Sequence, residues 1–70
     1  MSWNKPVYSS HVTNVGYDDD TKSLTVTFSN GKTAAYQGVP EDLALQLSVA
    51  PSVGTMLNEQ IKGQYPFKYV

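Results

Sequence analysis

Between Ser23 and Leu47 the chain reads SLTVTFSNGKTAAYQGVPEDLALQL. Leu24, Val26 and Phe28 alternate with Thr25 and Thr27, the period of two that a half-buried strand requires. Asn30-Gly31 supplies positions tolerant of positive φ, so the chain can reverse into a second strand ending near Gln37. Two registers are compatible with that reversal. A two-residue turn sets Phe28 opposite Thr33 and leaves Tyr36 on the outer face. A three-residue loop, Ser29-Asn30-Gly31 with Gly31 left-handed, opposes Leu24 to Tyr36 and Val26 to Ala34 instead. The second register gathers the apolar residues on one face and is the expected one; it predicts a buried Tyr36 ring with its hydroxyl near the surface.

After Gly38-Val39, Pro40 stands where a first helical residue belongs, and Glu41 and Asp42 complement the helix dipole. The predicted helix covers residues 40–50, with Leu43, Ala44, Leu47 and Ala50 as its core stripe and Leu45 and Val49 as a smaller stripe on nearly the opposite side. Pro51 ends it. Ser52 opens a second helix over 53–62, whose Val53, Met56, Leu57 and Ile61 form an apolar arc, and Gly54 at the edge of that arc reads as a point of close helix packing. Upstream, residues 10–17 form a first strand, in which Val12 and Val15 lie three apart and so require a bulge near Asn14. Residues 1–9 lack a pattern and read as a loose arm whose aromatics, Trp3 and Tyr8, cap one end of the core. Residues 64–70 alternate again, Tyr65, Phe67 and Tyr69 against Pro66 and Lys68; this tail is compatible with a short edge strand paired to the first strand, to the arm or to another molecule. The expected fold is α+β: a three-stranded antiparallel β-meander followed by two helices packed on one face, organised as an arm (1–9), a domain (10–63) and an aromatic tail (64–70).

Seventy residues make one small domain with a modest core. Without cysteine there is neither a disulfide framework nor a thiolate metal site. MSWNKPVYSS carries no signal-peptide pattern and no stretch approaches a membrane span, so a soluble, cytoplasmic protein of a bacterium or phage-infected cell is expected. Asp18-Asp19-Asp20 lacks the glycine and closing glutamate of a calcium loop and reads as a solvated turn. Catalysis is not expected: His11 alone could act as a base near neutrality, and no nucleophile elbow, phosphate loop or metal-spaced pair accompanies it. No cofactor or metal is expected either.

Gly16-Tyr17-Asp18, the Leu24-Val26-Phe28 strand, Asn30-Gly31, Tyr36, Gly38-Val39-Pro40, Ser52-x-Gly54, and Asn58 with Ile61 together resemble the KTSC domain, a module found alone in bacteria and phages and fused to the carboxyl end of some lysyl-tRNA synthetases. The resemblance spans roughly residues 9–62. The family's Tyr-x-Tyr is Ala34-Ala35-Tyr36 here, and the aromatic pair usual after Ser-x-Gly is Met56-Leu57. The resemblance implies a small binding module with a suggested RNA-binding role. From the residues, two uses of such a module compete. A protein partner, a phage-type accessory contact or a second copy of the chain would use Leu45, Val49, Tyr65, Phe67 and Tyr69. RNA or a nucleotide would stack on Tyr36 or a terminal aromatic and meet phosphate through Lys32, Lys62 or Lys68, with Asn58 beside them. With all five cations lysine and a net charge of −1, the first use is the expectation, and with it a weak dependence of binding on salt. Structural homo-oligomerisation through the tail is a third possibility.

Overall fold

The structure, a computed structural model, describes residues 2–70. The sheet has five strands where the sequence pattern predicts three: β1 (Ser2–Pro6), β2 (Val12–Asp18), β3 (Ser23–Phe28), β4 (Thr33–Gln37) and β5 (Phe67–Tyr69). They lie in the order β1-β2-β3-β4-β5, every neighbouring pair antiparallel. The helices α1 (Glu41–Ser48) and α2 (Val53–Met56) follow β4, and α2 runs on as a π-helical turn over Leu57–Ile61.

The central hairpin has the three-residue loop. Leu24 pairs with Tyr36 and Val26 with Ala34. Phe28 N–H donates to the Lys32 carbonyl at 2.8 Å, and the N–H of Gly31, whose φ is +90°, donates to the Phe28 carbonyl at 2.9 Å. A left-handed residue is needed there, which Gly supplies without steric cost. The β2–β3 register slips between Val12 and Asn14. That bulge puts Val12 and Val15 into the same core despite their odd spacing.

Two segments depart from expectation. Residues 2–6 are an edge strand, with Trp3 opposite Tyr17 and Asn4 opposite Gly16, instead of a loose arm. Backbone pairing orders this segment, and such pairing leaves no trace in a side-chain pattern. The tail also pairs, but with β4: Phe67 lies opposite Tyr36 and Tyr69 opposite Ala34. None of the three partners considered for it is the one it finds, because the free edge of the meander is β4.

Both helices cover one sheet face. Ala44 and Leu47 from α1, and Val53, Leu57 and Ile61 from α2 and its π turn, close over Val15, Tyr17, Leu24, Val26 and Tyr36. Pro40 sits one position earlier than expected, at the N-cap of α1. Ser52 precedes α2 but caps no backbone N–H; its hydroxyl donates to Thr55 Oγ1 at 2.9 Å. The opposite sheet face is polar, with Asn14 donating to Asn4 at 3.0 Å and the Thr27 and Thr33 hydroxyls 3.3 Å apart. Gly16 lies on this face between β1 and β3, where a Cβ would stand 2.6 Å from Thr25 Oγ1 and 2.8 Å from Asn4 Nδ2. A side chain there would push the neighbouring strands' side chains aside.

At one end of the sheet the Tyr17 hydroxyl donates a buried 2.7 Å hydrogen bond to the Val39 carbonyl, tying β2 to the lead-in of α1. Burial raises the Tyr17 pKa, and Glu41, Asp19 and Asp18 raise it further. Folding therefore holds this phenol protonated more firmly than the unfolded chain does. Its contribution to stability is complete below pH about 10 and is lost as the pH rises through the raised folded value. Tyr17→Phe removes the donor from the Val39 carbonyl and is expected to cost about 1–3 kcal/mol at neutral pH. It should also flatten the alkaline decline. Urea midpoints at neutral pH and near pH 10.5 test both; an unchanged neutral midpoint would mean that the bond is dispensable.

Candidate functional site

The end of the sheet opposite the Tyr17 hydroxyl is open. Val12 at the start of β2 pairs with Phe28 at the end of β3, and α2 with its π turn passes over that end. Two hollows result. One, about 470 Å³, lies between Ser9, Ser10 and His11 on the β1–β2 connection and Ser52, Gly54, Thr55 and Asn58 on the helix. The other, about 350 Å³, lies between Lys32 on the β3–β4 loop and Phe67 and Tyr69 on β5. His11, Phe28 and Lys62 line both, so the hollows form one groove.

The π turn shapes one wall. Lys62 N–H donates to the Leu57 carbonyl at 2.8 Å, a five-residue step. Leu57 and Ile61 both stay in the core, and Asn58 and Lys62 both stand on the groove side. Gly54 is not a point of close packing: nothing lies within 4 Å of where its Cβ would be, and it opens onto the groove.

Aromatic rings make the other wall. Phe67 lies over Tyr36, centroids 5.2 Å apart and planes inclined by 32°, and Tyr69 meets Phe67 edge-on at 5.6 Å. The Lys32 ammonium is 5.7 Å from the Tyr69 centroid, within reach of a cation–π contact. Tyr36 is 1% exposed, so as a stacking residue it is replaced by the ring above it. Among the described residues its hydroxyl makes no hydrogen bond and no buried polar side-chain atom is left unsatisfied, so the hydroxyl reaches the surface. Burial of the group, with a smaller influence from Tyr69, raises its pKa.

The candidates named from sequence are thus sorted by the fold. Lys32, Asn58, Lys62, Phe67 and Tyr69 come together in the groove. Lys68 pairs with Ala35 and so points to the other sheet face. Leu45 and Val49 stand away from the groove on the outer side of α1, 40% and 74% exposed, while Tyr65 is half-buried against the core. His11, Phe28, Ser9 and Ser10 belong to the groove although sequence reasoning gave them no binding role. The Ser52-x-Gly54 and Asn58 positions shared with the resembled family were the available signal.

Charge is segregated in a way the linear sequence hides. Every acidic residue except Glu59 sits on the β2–β3 turn (Asp18, Asp19, Asp20) or the first turn of α1 (Glu41, Asp42), around the Tyr17 end. The carboxylate oxygens of Asp18, Asp19 and Asp20 lie within 4.8 Å of one another, and Asp18 Oδ1 accepts the N–H of Asp20. No carboxylate lines the groove, where His11, Lys32 and Lys62 meet. Among the described residues no helix is long and apolar enough to cross a membrane.

Comparison with known proteins gives a consistent result. A crystal structure of a KTSC domain protein from Yersinia pestis superposes with a TM-score of 0.89 at 32% identity, covering 100% of this chain and 99% of that one. An uncharacterized protein of Stutzerimonas stutzeri is 35% identical over 57 residues, 81% of this chain and 80% of its own length. The lysine–tRNA ligase of Nostoc punctiforme is 36% identical over 52 residues; the match takes in 74% of this chain but spans only 9% of the ligase. The KTSC domain family model matches residues 8–65, which takes in the meander, both helices and Tyr65, and on this evidence the chain belongs to the KTSC domain family.

Proposed function

We propose that the chain is a non-catalytic module that binds single-stranded RNA in the groove between β5 and α2. The observation that carries this reading is the meeting of lysines and rings without a carboxylate: Lys32 and Lys62 stand beside Phe28, Phe67 and Tyr69, with the His11 imidazole between them. Phosphate needs the first set, and an unstacked base needs the second. Similarity to part of a lysine–tRNA ligase supports the same reading. Phe67 takes the base, with Tyr36 beneath it as a rigid floor; Lys32 and Lys62 take phosphates. Titration with a short single-stranded oligoribonucleotide at low and high salt tests it. With two or three phosphates engaged, affinity should fall about tenfold between roughly 50 and 200 mM salt. No binding at the lower salt would sink the proposal.

A second reading rests on Leu45 and Val49, which leave an apolar stripe in water on α1. It makes the chain a protein-interaction module, with salt-insensitive binding that is lost in Leu45→Glu and retained in Lys62→Ala. Under the RNA reading Leu45→Glu has no effect on RNA affinity, so this one substitution separates the two.

A further inference from the structure

The two hollows of the groove differ in chemistry, and the difference bears on which part of an RNA chain fits. Toward β5 the groove is ring-walled, with Phe67, Tyr69 and the Lys32 ammonium. Toward α2 it becomes a cup lined by the hydroxyl residues Ser9, Ser10, Ser52 and Thr55 and by Asn58, with Val12 and Leu57 as its apolar part. Lys62 and His11 stand where the two parts join. The rings of the cup, Phe28 and His11, both stand at the junction, and its far part toward Ser52 and Thr55 has none. Gly54 lines it without a side chain, and nothing lies within 4 Å of where its Cβ would be.

Resting on the RNA reading above, we infer that the cup holds a terminal phosphomonoester, so that the module recognises a phosphorylated RNA end, or the corresponding nucleotide, over the interior of a strand. An internal phosphodiester carries one negative charge and two ester substituents. A terminal phosphate carries about −1.5 to −2 near neutral pH and three acceptor oxygens. The hydroxyls of Ser9, Ser10 and Thr55, the Asn58 amide and the Lys62 ammonium on one hollow suit the terminal group, whose three free oxygens can each take a donor. The neighbouring nucleoside then lies toward the rings, with Lys62 and His11 between phosphate and base.

The test uses the full chain and one short oligoribonucleotide sequence in three forms: 5′-phosphorylated, 3′-phosphorylated, and with hydroxyls at both ends. One phosphorylated form should bind at least about tenfold more tightly than the hydroxyl form, and which one identifies the end recognised. Gly54→Asp places a carboxylate in the cup at a position with room for it, and should weaken the phosphorylated form most, abolishing the difference between it and the hydroxyl form. Lys68→Gln, on the other sheet face, should change neither. Circular dichroism confirms the fold of each variant. Equal binding of all three forms overturns the inference and leaves the RNA reading standing; binding of none overturns both. A preference that survives in Gly54→Asp also overturns it, by placing the phosphate elsewhere.

Discussion

Tyr36→Ala is expected to remove most of the stability of the fold. Tyr36 is the largest of the fully buried side chains, paired across the sheet with Leu24 on one side and Phe67 on the other. Deleting a buried ring of this size costs about 3–5 kcal/mol, the lost burial plus the cavity left behind. A domain of 70 residues has roughly 4–10 kcal/mol in total. The alanine variant should accordingly be partly unfolded without denaturant, with its urea midpoint shifted toward zero. Tyr36→Phe keeps the ring and removes a hydroxyl that has no hydrogen-bond partner among the described residues, so it should change stability by less than about 1 kcal/mol. If the alanine variant unfolds within about 1 kcal/mol of the parent, β5 and the ring it carries are not packed on the meander as described.

The contrast between Tyr36 and its surroundings explains what could be read from the chain. Tyr36 was placeable because a local rule governs it: Asn30-Gly31 fixes the loop, the loop fixes the register, and the register sets Tyr36 beside Leu24. The bulge near Asn14 was readable for the same reason, since Val12 and Val15 cannot otherwise share a face. Residues 2–6 offered no such rule. Ser2-Trp3-Asn4-Lys5-Pro6 is almost wholly exposed apart from Trp3, and an edge strand held by main-chain bonds needs no apolar alternation. The tail did alternate, but its partner depends on which meander edge the returning helices leave open.

The groove was legible only in fragments. Its walls come from segments around residues 9–12, 28–32, 52–62 and 67–69, and no spacing in the sequence relates them. Lys62 and Asn58 could be paired by their helical separation, and Phe67 with Tyr69 by strand alternation; that the two pairs border one groove follows from pairing β5 to β4 and laying α2 across the end of β2 and β3. The same closure separates the charges. Five lysines and six acidic residues look evenly mixed along the chain because Lys22 neighbours the aspartates, yet hairpin geometry sends the β2–β3 and β3–β4 turns to opposite ends of the sheet. A net charge near zero therefore conceals an acidic pole at Tyr17 and a carboxylate-free groove at the other end.

That segregation sets the largest expected effect on binding. The double substitution Lys32→Glu with Lys62→Glu replaces both ammonium groups of the groove by carboxylates and should weaken RNA binding at low salt by about a hundredfold or more. Both lysines are exposed, so the melting temperature should move by only a few degrees. The informative comparison is Lys5→Glu with Lys68→Glu, which changes net charge by the same amount at the β1 edge and on the opposite sheet face. If charge acts at the groove, the second pair should cost severalfold at most, and its residual effect should vanish at high salt, where the Debye length shrinks to about 3 Å at 1 M. Equal losses in both pairs would show that RNA responds to overall charge and has no seat in the groove. If neither pair changes affinity while Leu45→Glu abolishes it, the contact lies on the outer side of α1, and the groove is a consequence of the fold with no part in binding.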